Sequence, residues 1–324
     1  MHRVLSILLI AAGTAAADQP PAAAGEDATP AFRTNSELVL VDVSVIDKKT
    51  RTSISELSRD QIQIFEDGAA QEIRSFTRDE TPLSVVLLFD LTASSRPVLA
   101  RFATTASQAL SHLKPRDEVA VMTYASRAFM VEGFTTDRAR TAAAIQRAPQ
   151  SPVGGGALFN EAVYQAAAQL RQSAAPASRR VIVWFTDNMP NIGDKKAHTE
   201  MEAIQILHEE GITVAPLLLK SWMSHLIAPG IEIAASAHKN NPPGDATKYA
   251  EISGGMAIKT DARNAEARLA DMIDHLRARY TVGYRPSGTK PAGTFCRIRV
   301  TLTSGAALRP ADWIVLAAAG YYRK

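Results

Sequence analysis

Apolar positions along this chain follow two rhythms. Residues 84–89, 119–124, 181–185 and 211–219 are short, nearly unbroken runs of Val, Ile, Leu, Ala, Phe and Trp. Such runs predict strands buried on both faces, as in a parallel sheet. Between them, apolar residues fall three and four apart, which predicts helices. Phe102, Ala106, Leu110 and Leu113 mark a helix over 97–113, and Leu158, Ala162, Ala166 and Leu170 mark one over 157–171. Thr136-Asp137 supplies the cap of a helix reaching 145. Further helices are predicted over 197–210 and 264–279, the last carrying Ala267, Leu269, Met272, Ile273 and Leu276. Residues 128–131 predict a hairpin partner of 119–124, and therefore an edge strand. The alternation specifies an α/β fold, a doubly wound and mainly parallel sheet with helices on both faces. Residues 221–243 break the rhythm, mixing Trp222, Met223 and Ile227 with Pro229-Gly230 and Asn240-Asn241-Pro242-Pro243. A loop of that length is either functional or a surface insertion.

The flanks carry a different pattern. Residues 38–46, 62–65 and 72–76 are β-branched and partly alternating, with turn residues at 47–50 and 66–68. They predict a small β unit ahead of the α/β core. Residues 280–284, 295–302 and 314–316 predict strands that extend the central sheet or pair with that unit. The first residues form a targeting pattern: Met1-His2-Arg3, an apolar stretch to Ala12, and small residues at 15–17 before Asp18. Cleavage is expected after Ala17, giving a periplasmic or extracellular protein. The apolar stretch is shorter than the roughly 20 residues a membrane span requires. Residues 19–30 are rich in Pro, Ala, Gly and acids, as in a disordered linker. The expected organisation is a signal peptide at 1–17, a linker at 18–34, the β unit at 35–80, the α/β domain at 81–280 and a β extension at 281–324.

Composition narrows the function classes. The 324 residues are 46% hydrophobic and 21% charged, enough for a full core. A net charge of +3, with scattered basic residues, gives no reason to expect nucleic acid or an anionic membrane as partner. Cys296 is the single cysteine, so an internal disulfide is excluded, and an inward-facing Cys296 is an inert small hydrophobe.

Candidate chemistry lies where the apolar runs end. The first enters Asp90, and Thr92 and Ser94 follow at alternate positions. A carboxylate with hydroxyls two and four residues on can converge on one hard cation, which takes oxygen ligands and, for Mg²⁺, keeps part of its water. Asp90 and Ser94 can equally cap a helix beginning near residue 96, and this stretch alone does not choose between the two explanations. Farther on, 179–188 is an apolar run ending in Thr186-Asp187-Asn188, and Val153-Gly-Gly-Gly156-Ala-Leu158 opens a helix. Ligands in open α/β sheets gather at the carboxyl ends of strands, so these three loops can share one crevice.

In these three elements the chain resembles a von Willebrand factor type A domain. The resemblance implies a divalent-ion site built from an Asp-x-Ser-x-Ser loop, a Thr after Gly-Gly, and an Asp in Thr-Asp-Gly. Asp90, Thr92 and Ser94 match the first, with Thr in place of the first Ser. Asp187 matches the last, with Asn188 where Gly is usual. Gly156 stands where the resemblance requires Thr, so one hydroxyl ligand is missing, and water must replace it at a cost in affinity. The resemblance implies Mg²⁺ or Mn²⁺ as the ion and a partner protein bound through a carboxylate. A narrower resemblance, to secreted bacterial proteins frequent in Acidobacteria, rests on Leu40-Val-Asp-Val-Ser-Val-Ile, Ile64-Phe-Glu-Asp-Gly68, Ile252-Ser-Gly-Gly255, Tyr280-Thr-Val-Gly-Tyr284 and Gly320-Tyr321.

Catalytic patterns are missing from the sequence. The seven histidines form no His-Glu-x-x-His pair, and neither a Gly-x-Ser-x-Gly elbow nor a Gly-Lys-Ser/Thr phosphate loop occurs. The expectation is therefore a binding protein and not an enzyme. Two alternatives stand beside ion-dependent adhesion: a metal-free scaffold with a degenerate site, and a Mg²⁺-dependent phosphoryl-transfer hydrolase using Asp90.

Overall fold

The computed structural model describes residues 38–78, 81–96, 106–154, 156–175, 179–189, 196–219, 244–261, 263–303 and 312–324. The targeting segment, the linker and the interruption at 221–243 lie outside the described residues. A six-stranded sheet forms the centre. Its order is β10 (Ile258–Thr260), β9 (Thr213–Leu219), β8 (Arg179–Thr186), β5 (Leu83–Asp90), β6 (Glu118–Tyr124) and β7 (Ala128–Thr135). All neighbours are parallel except the β6–β7 pair, so β7 is the antiparallel edge strand the sequence predicts.

Alternation along β5 sorts its side chains between two cores. Leu83, Val85, Leu87 and Phe89 face one side, where they meet residues of α1 (Arg138–Arg147) and α5 (Ala265–Arg277). Val86 and Leu88 face the other, against α2 (Phe159–Leu170), α3 (Glu200–Glu209) and α4 (Ala246–Ser253). Every residue of β5 is buried, and each large apolar side chain so placed contributes about 1.5–3 kcal/mol relative to exposure. The sheet is thus wound on both faces. The helix predicted over 97–113 is described only in part: residues 106–109 are helical and lead into a 3₁₀ turn at Leu110–His112.

The terminal strands do not join the central sheet. β1 (Val39–Asp47) lies between β11 (Tyr280–Tyr284) and β13 (Trp313–Leu316), and β4 (Ile73–Thr77) pairs with β11. A second four-stranded sheet runs β14 (Gly320–Tyr322), β12 (Phe295–Leu302), β2 (Ile62–Glu66) and β3 (Ala69–Gln71). The two sheets share an apolar core of Val41, Val43, Ile62, Ile64, Val282 and Ile298, among others. The amino-terminal strands are therefore divided between two sheets, each completed by carboxyl-terminal ones. Glu66 accepts from the hydroxyls of Tyr284 (2.6 Å) and Tyr321 (3.0 Å), fastening β11 and β14 to β2. The β2–β3 hairpin turns on Asp67 and Gly68, both at positive φ (49° and 90°), the geometry two-residue hairpins favour. Cys296 is fully buried in β12.

Two buried arginines join this sandwich to the central sheet. Arg179, the first residue of β8, donates to the carbonyls of Arg277 (3.0 Å) and Arg279 (3.2 Å) and pairs with Asp42 at 3.2 Å. Arg279 donates to Thr213 Oγ1 at the start of β9 (2.9 Å) and to the Gly254 carbonyl (3.0 Å). Both contacts sit at the amino ends of the central strands. The opposite rim, where the candidate residues end their strands, lies away from this junction.

Candidate metal centre

Register brings the site together. β5 and β8 run level, with Phe89 opposite Phe185, and β5 and β6 run level, with Asp90 opposite Tyr124. In parallel strands, level residues of the same parity face the same side. Asp90, Tyr124 and Thr186 thus all project from the carboxyl rim toward the α2 face. Thr186 Oγ1 donates to Asp90 Oδ2 at 2.7 Å, and Tyr124 Oη accepts from Trp184 Nε1 at 2.9 Å. Beneath them Phe159 packs edge-on against Trp184, their centroids 4.9 Å apart.

The first loop then folds back on its own carboxylate. Leu91 N donates to the Tyr124 carbonyl (2.8 Å), and Thr92 N donates to Asp90 Oδ1 (2.9 Å). Ser95 N and Arg96 N both donate to the Thr92 carbonyl, opening a helical turn. Thr92 Oγ1 and Ser94 Oγ are 3.2 Å apart. Local capping and convergence of oxygens are therefore not exclusive here: Asp90 takes one backbone amide and keeps lone pairs available on both oxygens.

Asp187 follows Thr186, the last residue of β8, at the same rim. Its Oδ1 accepts from Met189 N at 3.2 Å, while its Oδ2 is buried with no hydrogen-bond partner. Asp90 is fully buried. Burial, together with the neighbouring charge of Asp187, pushes its carboxyl up to about 6 despite the bonds from Thr92 and Thr186. Two neighbouring carboxylates, one of them fully buried, repel each other, and an orphaned carboxylate oxygen is costly. Hard oxygen donors in that state fit a divalent cation.

The Gly-rich loop reaches the same rim. Leu158 N donates to the Ala125 carbonyl (3.0 Å), just past the end of β6, and Ser126 Oγ donates to the Val153 carbonyl (3.0 Å). Gly154 adopts φ 83°, where an added Cβ would lie 2.1 Å from Ser126 Oγ. Gly156 is half-buried. A separate cavity of about 420 Å³ flanks this rim between β7 and α2, lined by Met122, Phe129, Met130 and Gln165 among others.

Thr186 and Tyr124 belong to this site through register, and sequence reasoning assigned neither a role. The available signal was their position: each ends an apolar run that must lie level with Asp90. A second acidic group, Glu66, Asp67 and Cys296, has ligand atoms within 4.8 Å of one another. Glu66 is occupied by the two tyrosines, and Asp67 by Lys290 (2.5 Å) and Arg297 N (3.2 Å), so this group is a structural hub of the sandwich.

Residues 85–190, spanning the strand into Asp90 through the loop after Asp187, match the von Willebrand factor type A domain family. The match spans about a third of the chain and includes Asp90, Thr92, Ser94, Gly156 and Asp187. No curated protein matches the chain. Among solved structures, BatB from Bacteroides thetaiotaomicron is 17% identical, with 60% of this chain and 98% of that one covered at a TM-score of 0.44. A von Willebrand factor type A protein from Catenulispora acidiphila is 12% identical, covering 89% of this chain and 75% of that one, also at 0.44. Proximal thread matrix protein 1 from the mussel byssus, described with a zinc-occupied metal-ion-dependent adhesion motif, is 15% identical, covering 65% and 49% at 0.44. These likenesses identify neither ligand nor partner. Among the described residues, no helix is long and apolar enough to cross a membrane.

Proposed function

We propose that the von Willebrand factor type A domain of this protein binds a partner protein through a divalent ion, Mg²⁺ or Mn²⁺, held at the rim by Asp90, Thr92, Ser94 and Asp187. The bound ion supplies positive charge and an open coordination position for a carboxylate of the partner. The chain's own residues do the rest. Thr186 and Thr92 N orient the Asp90 carboxylate, Met189 N orients Asp187, and the Thr92 and Ser94 hydroxyls stand within 3.2 Å of each other. The observation that carries this reading is the buried, unpartnered Asp187 Oδ2 beside the buried Asp90 carboxyl. Binding occurs without turnover, in the periplasm or outside the cell, where residues 1–17 direct the chain.

The metal-free scaffold draws support from one feature, the lack of a hydroxyl at Gly156. Against phosphoryl transfer, Asp90 has no exposed surface, a poor state for a nucleophile. Calorimetric titration of the purified chain with Mg²⁺ and with Mn²⁺ separates the readings. Binding heat that disappears in Asp90→Ala supports the ion-dependent site, and silence in both proteins favours the scaffold. Phosphatase turnover that disappears in Asp90→Asn would instead make the protein a hydrolase.

A further inference from the structure

Asn188 follows Asp187 with its backbone in the left-handed region, at φ 56°, a conformation that few side chains other than Asn tolerate. Its amide N donates to Thr186 Oγ1 at 3.0 Å, the same hydroxyl that donates to Asp90 Oδ2. Its side chain points to a different element. Oδ1 accepts from Ala246 N at 2.9 Å, and Nδ2 donates to Asp245 Oδ1 at 3.4 Å.

These partners are the first turn of α4. The opening N–H groups of a helix have no partner inside it. Asp245 takes two of them, accepting from Thr247 N (2.6 Å) and Lys248 N (3.2 Å), and Asn188 takes the third at Ala246. The helix start is held from behind as well. Gly244, at φ 81°, leaves no room for a Cβ beside Asn160 Oδ1, which accepts from Tyr249 Oη at 2.7 Å. At the other end of α4, the Ile252 carbonyl accepts from Ala319 N of the sandwich at 2.9 Å. A continuous set of hydrogen bonds thus runs from Asp90 through Thr186 and Asn188 to a well-seated helix.

We propose that Asn188 is a positioning residue: by latching the loop that carries Asp187 onto the first turn of α4, it holds that carboxylate at the rim and links ion binding there to the capping of α4. The inference rests on the ion-binding reading of Asp90 and Asp187. Linkage makes the effect reciprocal, so an ion that fixes the loop also protects the helix start. Residues that orient metal ligands typically contribute 10–100-fold to affinity.

The test uses the full chain and its Asn188→Gly variant, since Gly accepts the left-handed backbone and removes only the amide. Mn²⁺ affinity is read by calorimetry, and protection of the Ala246, Thr247 and Lys248 amides by hydrogen exchange with and without Mn²⁺. The expected result is about tenfold weaker Mn²⁺ binding in Asn188→Gly, with ion-dependent protection of these amides in the natural chain and none in the variant. An unchanged affinity, or ion-dependent protection that persists in the variant, overturns the inference while leaving the ion site standing. A natural chain silent toward Mn²⁺ and Mg²⁺ refutes the site itself and the linkage with it.

Discussion

Asp90→Asn should stabilise the ion-free protein at neutral pH while abolishing ion binding. Asp90 titrates at an ordinary 3.8 when unfolded and at about 6 in the fold. Because the folded value is the higher one, the associated stability is present in full below pH 4 and is lost as pH rises through 6. The interval of about two pH units, at about 1.4 kcal/mol each, amounts to about 3 kcal/mol. Asparagine carries no charge, escapes the repulsion from Asp187, and keeps an acceptor for Thr92 N. Its amide can donate to Thr186 Oγ1, reversing the polarity of the 2.7 Å bond. The net gain at pH 8 should therefore be about 1–3 kcal/mol, shrinking to zero or reversing by pH 4. Urea unfolding of both proteins at pH 4, 6 and 8 with EDTA measures it, and the difference between the two cancels the titration of the other carboxylates. Adding Mn²⁺ should invert the ranking at pH 8, since an ion that binds only the folded natural chain stabilises it by mass action. A variant less stable than the natural chain at pH 8 in EDTA would refute the burial argument, and identical Mn²⁺ responses would refute the site.

Two further substitutions probe the surroundings. Gly156→Thr supplies the hydroxyl that the family pattern carries at this position, and should tighten Mg²⁺ binding about fivefold in calorimetry, an added ligand of about 1 kcal/mol in effect. An unchanged affinity would show that Gly156 does not face the ion. Tyr124→Phe leaves the buried Trp184 Nε1–H without its acceptor at 2.9 Å and should cost about 1–3 kcal/mol in urea unfolding. The double variant Tyr124→Phe, Trp184→Phe should recover part of that loss.

The central sheet was legible because both its faces are buried. The apolar runs in β5, β6, β8 and β9 could be read without any tertiary information, and the carboxyl ends of β5 and β8 located Asp90 and Asp187. The edge position of β7 followed from residues 128–131 being the hairpin partner of β6. Elements decided by partners were not legible. β3, β10 and β14 have three residues each, too few for a period, and they exist because a neighbouring strand offers a ladder. α4 has eight residues and owes its start to capping by Asp245 and Asn188, a contact across 58 positions. The choice between a sheet extension and a β sandwich depended on Arg179 and Arg279, charged residues that a hydrophobic pattern cannot place in an interior. Around Asp90 the ligand types could be read from spacing, whereas Thr186 required the strand register.

The most direct measurement is anomalous diffraction from crystals of the chain grown or soaked with Mn²⁺. One strong anomalous peak is expected at the carboxyl rim, bounded by Asp90, Thr92, Ser94 and Asp187, and lost in Asp90→Asn. Full Mn²⁺ with no peak at that rim, and Asp187 Oδ2 bonded instead to another group of the chain, would contradict it.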